Sequence, residues 1–237
     1  MRPLPRLSAD SDFPPSCEAL KEPNGLLALG GGLSARRLVL AYRRGIFPWY
    51  EAPQPILWWT PDPRSVLFPS ELHISHSLRK TLRQNRFQLG IDQQFTHVMH
   101  ACATARGDGV GTWIDEDMVT AYSRLHQQGV AHSIEVMDGT GKLVGGLYGV
   151  SLGRVFFGES MFSLVSNASK VAFVALVSIL RRGDFHMVDC QLESQHLNSL
   201  GARTISRLDF EHRLKRAVDV DTGSDIWQLP NTCGDLL

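Results

Sequence analysis

Two short runs carry side chains able to do acid–base or hydrogen-bonding work. They are Phe156-Phe157-Gly158-Glu159-Ser160-Met161-Phe162 and, further along, Met187-Val188-Asp189-Cys190-Gln191. Each starts as a Phe- or Val-rich strand and ends in polar residues. A carboxylate removed from water is costly unless it has a partner or a task. Two strands ending this way point to a site built from Glu159, Asp189 and Gln191. The other reading, that Glu159 and Asp189 pair with arginines or cap helices, stays open on these residues alone, because structural ion pairs also perturb carboxylates. Metal chemistry lacks a motif. His73 and His76 have no H-E-x-x-H arrangement around them, and Cys17, Cys102, Cys190 and Cys233 are scattered without a C-x-x-C. Neither a metal nor a cofactor is expected, and the thiols read as reduced.

The elements that must position these groups belong to an ordinary globular chain. It has 237 residues, is 43% hydrophobic and contains 12 prolines, enough for one sizeable core and a smaller second one. The apolar runs at 143–150 and 171–180 are too short to cross a bilayer, and Met1-Arg2-Pro3-Leu4-Pro5 has no signal-peptide core. A cytoplasmic location without membrane association is the expectation. The formal net charge is zero, but Arg36, Arg37, Arg43, Arg44, Arg64, Arg79, Lys80, Arg83 and Arg86 face only Glu51, Asp62 and Glu71 between residues 34 and 86. One basic region on a neutral chain suits a polyanion that touches a single face.

In chain order, residues 1–12 read as a loosely held arm. The glycines Gly30-Gly31-Gly32 read as a tight turn rather than a phosphate loop, because no Gly-Lys-Ser/Thr follows. Ser34 caps a helix with Ala35, Leu38, Val39 and Tyr42 on its apolar side. Trp49, Trp58 and Trp59 offer flat surface for stacking on a base or lining a pocket. Pro61-Asp62-Pro63 marks a boundary between a small N-terminal domain, residues 1–62, and a larger domain, residues 63–237. A helix opened by Ser75 places Arg79, Arg83 and Arg86 on one side with Lys80 nearby, a basic stripe. Further helices are expected on Phe95, Val98, Met99 and Cys102 and, capped by Asp115, on Met118, Val119, Tyr122 and Leu125. Strands over 133–137, 143–151 and 154–157, a long apolar helix from Asn167 and a strand over 185–190 predict an α+β arrangement with a mostly antiparallel sheet. A last helix follows Ser206, and beyond Asp219 the chain reads as tail.

Six blocks then carry a resemblance. Glu22-Pro23-Asn24-Gly25-Leu26-Leu27-Ala28-Leu29-Gly30-Gly31, Tyr42-Arg43-Arg44-Gly45-Ile46-Phe47-Pro48-Trp49, Trp58-Trp59-Thr60-Pro61-Asp62-Pro63-Arg64 and His132-Ser133-Ile134-Glu135-Val136 are the first four. Phe157-Gly158-Glu159-Ser160-Met161-Phe162, and Asp189-Cys190-Gln191 followed by Ser199-Leu200-Gly201-Ala202, complete the set. In this order, over Phe13 to Ala202, the sequence resembles the leucyl/phenylalanyl-tRNA–protein transferases. The resemblance implies a small N-terminal domain and a larger one similar to the GNAT acyltransferase fold. It implies transfer of Leu or Phe, and less readily Met, from aminoacyl-tRNA to an N-terminal Arg or Lys of a protein, which marks that protein for N-end-rule degradation. A monomer is expected.

By the same resemblance, Asp189 assists the attacking amine through Gln191 and Glu159 lies beside the donor. Leu147, Phe156, Met161 and Val188 form the aminoacyl pocket, and Trp49, Trp113 and Tyr42 wall the terminal adenosine. The basic stripe of Arg79, Lys80, Arg83 and Arg86 is the expected tRNA contact. The sequence departs from the family at Ser194, where an asparagine is usual on the acceptor side, and a hydroxyl replaces only one of an amide's hydrogen bonds. Two rivals exist. A CoA-dependent acetyltransferase needs a glycine-containing pyrophosphate loop, and Ser163-Leu164-Val165-Ser166-Asn167-Ala168-Ser169 has no glycine. A non-catalytic tRNA-binding module would leave the carboxylates idle.

Overall fold

The structure is a computed structural model that describes residues 3–105, 114–223 and 225–237. The N-terminal part builds a small sheet from β1 (Arg6–Leu7), β2 (Leu26–Gly30), β3 (Phe47–Pro48) and β4 (Leu57–Trp59), in the order β1-β2-β4-β3. Between β2 and β3 lies α1 (Ala35–Arg43), capped by the Ser34 hydroxyl, which accepts from the Arg37 amide at 3.3 Å. Of the expected apolar side of α1, Leu38 and Tyr42 are buried and Ala35 and Val39 half-buried, with Ala41 buried beside them. The N-terminal arm is not loose. β1 pairs with β2, and the buried Arg37 guanidinium donates to the carbonyls of Ser8, Ala9 and Ser11 at 3.0, 2.6 and 2.9 Å. A charge-assisted clamp on three carbonyls holds a segment that has little apolar surface of its own.

The chain then enters a seven-stranded sheet. Its first half supplies β5 (Arg64–Leu67), α2 (His76–Arg83), β6 (Gln88–Ile91), α3 (Phe95–Thr104) and α4 (Glu116–Gln127). The second half supplies β7 (Ala131–Met137), β8 (Leu143–Leu152), β9 (Val155–Ser163), α5 (Ala168–Arg182), β10 (Met187–Gln191), α6 (Gln195–Asn198), β11 (Arg203–Ile205) and α7 (Arg207–Ala217). The strand order is β11-β5-β10-β9-β8-β7-β6. Every neighbouring pair is antiparallel except β9 with β10, which α5 connects. This is the α+β, mostly antiparallel arrangement expected from the strand and helix periods.

Both faces of the sheet are covered, and β9 shows how. Phe156 joins a core with α5, Leu67, Leu147 and Val188, while its neighbours Val155 and Phe157 join a core on the other side with Tyr42, Tyr122 and Tyr148. Alternate residues of one strand thus feed opposite layers. The second of these cores is continuous with the apolar side of the small sheet, including Leu27, Phe47 and Trp58.

The C-terminal segment differs from the expectation of a tail. The Trp227 ring stacks on His132 at 3.6 Å between centroids, and the 3-10 turn Cys233–Leu236 buries Cys233 and Leu236 in the core with α2 and α5. Isolated apolar residues without a period give no local signal, yet burying them removes apolar surface from water. Among the described residues, no helix is long and apolar enough to cross a membrane.

Candidate functional site

Two β-bulges, one on each of the parallel strands, aim the polar residues. In β9, Tyr148 pairs with Ser160 and Gly149 with Gly158, so Glu159 is the extra residue with no partner on β8. The bulge reverses the strand's alternation: Phe156 and Met161 fall on one face although they are five positions apart. Gly149 makes room for it, since a Cβ there would lie 2.2 Å from the Phe157 carbonyl oxygen. In β10, Asp189 pairs with Val66 and Gln191 with Ser65, leaving Cys190 unpaired. Gln191 takes a left-handed φ of 62°, an unfavourable conformation for a residue with a side chain. Pairing between β9 and β10 stops at Phe157 and Asp189. Beyond that last pair, residues of both strands line one cavity.

At the cavity the Gln191 side-chain amide donates to Glu159 Oε1 at 2.9 Å, and the Tyr122 hydroxyl donates to Glu159 Oε2 at 3.0 Å. The Tyr42 hydroxyl in turn bonds to Tyr122; with Tyr122's proton committed to Glu159, Tyr42 is the donor. Burial pushes the Glu159 carboxyl up to about 7, against the opposing pull of these hydrogen bonds. Burial, with the Glu159 charge added, also holds the Tyr42 and Tyr122 hydroxyls well above the ordinary phenol range. Cys190 is pushed up by burial as well, so it is no thiolate nucleophile.

Asp189 is buried and does not line the cavity. Arg64 holds it in a fork, Nε to Oδ1 at 2.8 Å and Nη2 to Oδ2 at 2.6 Å. It meets the site through the Gln191 backbone amide, which donates to Asp189 Oδ1 at 2.9 Å, and its charge adds to the rise of the Glu159 carboxyl. The two readings left open by the sequence therefore divide: Asp189 pairs with an arginine, and Glu159 faces the cavity.

The cavity measures about 460 Å³, within the usual range for a small-molecule site. Leu147, Phe156, Met161 and Val188 all line it, together with Phe173 and Leu176 of α5. Glu159, Gln191, Ser160, Ser163, Ser169, Ser194 and His196 are among its polar lining residues. The Ser194 hydroxyl accepts from the Leu197 amide at 3.2 Å and so caps α6. Serine and asparagine are equally good caps, which gives the departure at this position a physical reason.

Tyr42 corrects the expectation of an adenosine wall: it is fully buried, tilted against Phe157 and hydrogen-bonded to Tyr122, so no face is open to a base. Trp49 is 38% exposed and packs on Trp59, outside the cavity lining. Trp113 lies outside the described residues. Arg79, Lys80, Arg83 and Arg86 are all exposed, and among the described residues none forms an ion pair. Their helix is tied to the turn beside the cavity by Asn167 Nδ2, which donates to Thr81 Oγ1 at 3.0 Å.

Sequence reasoning missed Arg64, Tyr122, Phe173 and Leu176 as site residues. Tyr122 and the α5 residues were visible only as core positions on helix faces. Arg64 had one signal, an arginine opening an apolar strand.

Comparison with known proteins identifies the family. Residues 66–215 match the family model described as leucyl/phenylalanyl-tRNA protein transferase, and residues 31–62 match that of its N-terminal domain. A leucyl/phenylalanyl-tRNA–protein transferase of Nitrosospira multiformis is 59% identical over 225 residues, covering 94% of this chain and 96% of the relative. One from Azotobacter vinelandii is 57% identical over 220 residues, covering 92% and 97%. Among solved structures, L-PGS from Bacillus licheniformis overlaps 68% of this chain and 51% of its own at TM-score 0.39 and 10% identity. The GCN5-related glucosamine N-acetyltransferase region of a fungal multi-domain enzyme overlaps 61% and 20% at TM-score 0.42 and 9% identity. The chain belongs to the leucyl/phenylalanyl-tRNA–protein transferase family.

Proposed function

We propose that this chain transfers Leu or Phe from aminoacyl-tRNA to the N-terminal Arg or Lys of an acceptor protein, marking it for degradation. The observation that carries the reading is the apolar cavity with the Gln191–Glu159 pair on its wall. The aminoacyl side chain enters between Leu147, Phe156, Met161 and Val188, and the ester lies against Gln191 and Glu159. Methionine gives one wall enough flexibility for either a branched or an aromatic guest.

The acceptor amine has an ordinary pKa near ~7.7–8.0, so an appreciable fraction is neutral at neutral pH. The ester is already activated, and the reaction calls for no cofactor. What remains is placement, an effect worth roughly 7–11 kcal/mol, and the movement of one proton. Because Gln191 Nε2 donates to Glu159, Gln191 Oε1 points away from it and accepts an N–H of the attacking amine. The nitrogen attacks the ester carbon. The amine proton passes to the departing ribose oxygen as the C–O bond breaks, with Glu159 able to hold it because its carboxyl titrates near 7. The exposed stripe Arg79, Lys80, Arg83 and Arg86 supports the tRNA backbone beside the cavity. The proposed working unit is a monomer.

The test is incubation with radiolabelled Leu-tRNA and two peptides, one beginning with Arg and one with Ala. Label in the Arg peptide alone is the expected result. Label in neither peptide, or equal label in both, would contradict the reading.

A further inference from the structure

We propose that Arg64 is a positioning residue of this reaction: clamped between aromatic rings of two other elements, it sets the place of the Gln191 amide through Asp189. The inference rests on the transfer reaction proposed above and adds to it the device that holds Gln191 in position.

The chain of contacts is short. Gln191 carries a left-handed backbone at the end of β10, and its amide N–H is fixed by Asp189 Oδ1 at 2.9 Å. Asp189 is itself fixed by the Arg64 fork, at 2.8 and 2.6 Å. Paired contacts of this kind fix direction as well as distance. The Arg64 guanidinium lies 4.8 Å from the ring centre of Phe47 and 4.6 Å from that of Phe210. Phe47 belongs to β3 of the small sheet and Phe210 to α7, so three separate parts of the molecule converge on one side chain.

The rest of the sequence accommodates the clamp. A Cβ at Gly45 would lie 2.7 Å from the edge of the Phe210 ring, so the glycine is what lets that ring reach the arginine. The first turn of α7 is tied to the segment just before Arg64: the Asp62 carboxylate accepts from the Arg207 amide at 3.0 Å, and the Thr60 carbonyl accepts from Arg207 Nη1 at 2.8 Å. Arg64 and Asp189 are both buried and neither lines the cavity. Neither can touch a substrate held there. Their geometric effect on the reaction passes through where Gln191 sits.

Lysine at position 64 keeps the charge but cannot make the fork or stack as a plane. Displacing a placed group by about 1 Å can cost on the order of 100-fold in rate. The experiment measures single-turnover leucine transfer from Leu-tRNA to an Arg peptide, together with KM for Leu-tRNA and the folded fraction, for five variants: Arg64→Lys, Phe47→Leu, Gln191→Ala and the two doubles with Gln191→Ala. Arg64→Lys should slow transfer by roughly 10- to 100-fold with KM changed less than about twofold. Phe47→Leu, which loosens one side of the clamp, should slow it by a smaller factor. In the Gln191→Ala background each should cost less than about twofold more, because two residues acting through one group are not additive. Wild-type transfer in folded Arg64→Lys, or the full loss repeated in the Gln191→Ala background, overturns the role of Arg64. If Arg64→Lys does not fold, the Phe47→Leu pair decides by the same criterion. A wild-type chain that transfers no leucine overturns the parent reading as well, and the two failures are told apart by that control.

Discussion

Replacing Glu159 by glutamine probes the electrostatics of the cavity. The carboxyl is buried and its pKa rises from 4.5 to about 7, chiefly because water is excluded. A carboxyl raised in the folded state binds its proton more tightly there than in the unfolded chain. Its stabilising contribution is complete below the unfolded pKa of 4.5 and is lost as pH climbs through about 7. With these two values, linkage gives a loss of roughly 2.5 kcal/mol between pH 5 and pH 8 from this one group. Glutamine cannot ionise, so the variant escapes that loss. It keeps one oxygen for the Tyr122 hydroxyl, and Gln191 can turn its amide to present an oxygen to the new NH2. Glu135, also raised by burial, contributes to the pH dependence of both proteins and cancels in their difference. The assay is urea unfolding of wild type and Glu159→Gln at pH 5, 6, 7 and 8. The variant should gain on wild type by about 2–3 kcal/mol from the lowest to the highest pH. A difference that stays constant across this range would refute the claim that burial holds this carboxyl near neutrality.

Two other expectations follow. A triple Arg79→Ala, Arg83→Ala, Arg86→Ala variant should bind tRNA weakly, with a log–log salt slope shallower by up to roughly 3; a wild-type slope in a filter-binding titration would remove α2 from the tRNA contact. Trp227→Ala removes the ring stacked on His132 and should lower unfolding free energy by about 1–3 kcal/mol, read from urea denaturation, whereas a change below ~0.5 kcal/mol would return the C-terminal segment to the status of a tail.

Much of this was legible in local pattern. The caps at Ser34, Ser75, Asp115 and Ser206 all accept from a backbone amide three residues on. The helix faces on Leu78, Val98 and Tyr122 are buried as their spacing requires. What stayed hidden depends on pairs of distant segments. Glu159 read as a strand end, yet it is a bulge in the middle of β9, because register is a property of β8 and β9 together and not of either run. Arg64 and Asp189 are 125 residues apart, and nothing local announces that they meet. Tyr42 could be placed on the apolar side of α1, but which of its two candidate roles it fills was decided by α4, whose Tyr122 takes its hydroxyl. Trp227, Cys233 and Leu236 follow no period; Trp227 packs on His132 and Phe156 of the sheet, and the Cys233–Leu236 turn on α2 and α5.

In the proposed reaction the cavity between β9 and β10 receives the aminoacyl side chain, and Met161 is the residue through which to test this, because it lines the cavity and is only partly buried. The deciding measurement is single-turnover leucine transfer by Met161→Trp, with tRNA affinity followed in parallel. The larger ring should fill the space and cut transfer at least about 100-fold while the folded protein still binds tRNA, since overpacking by several heavy atoms leaves no room for a guest. Transfer at the wild-type rate would mean that the leucine side chain binds elsewhere.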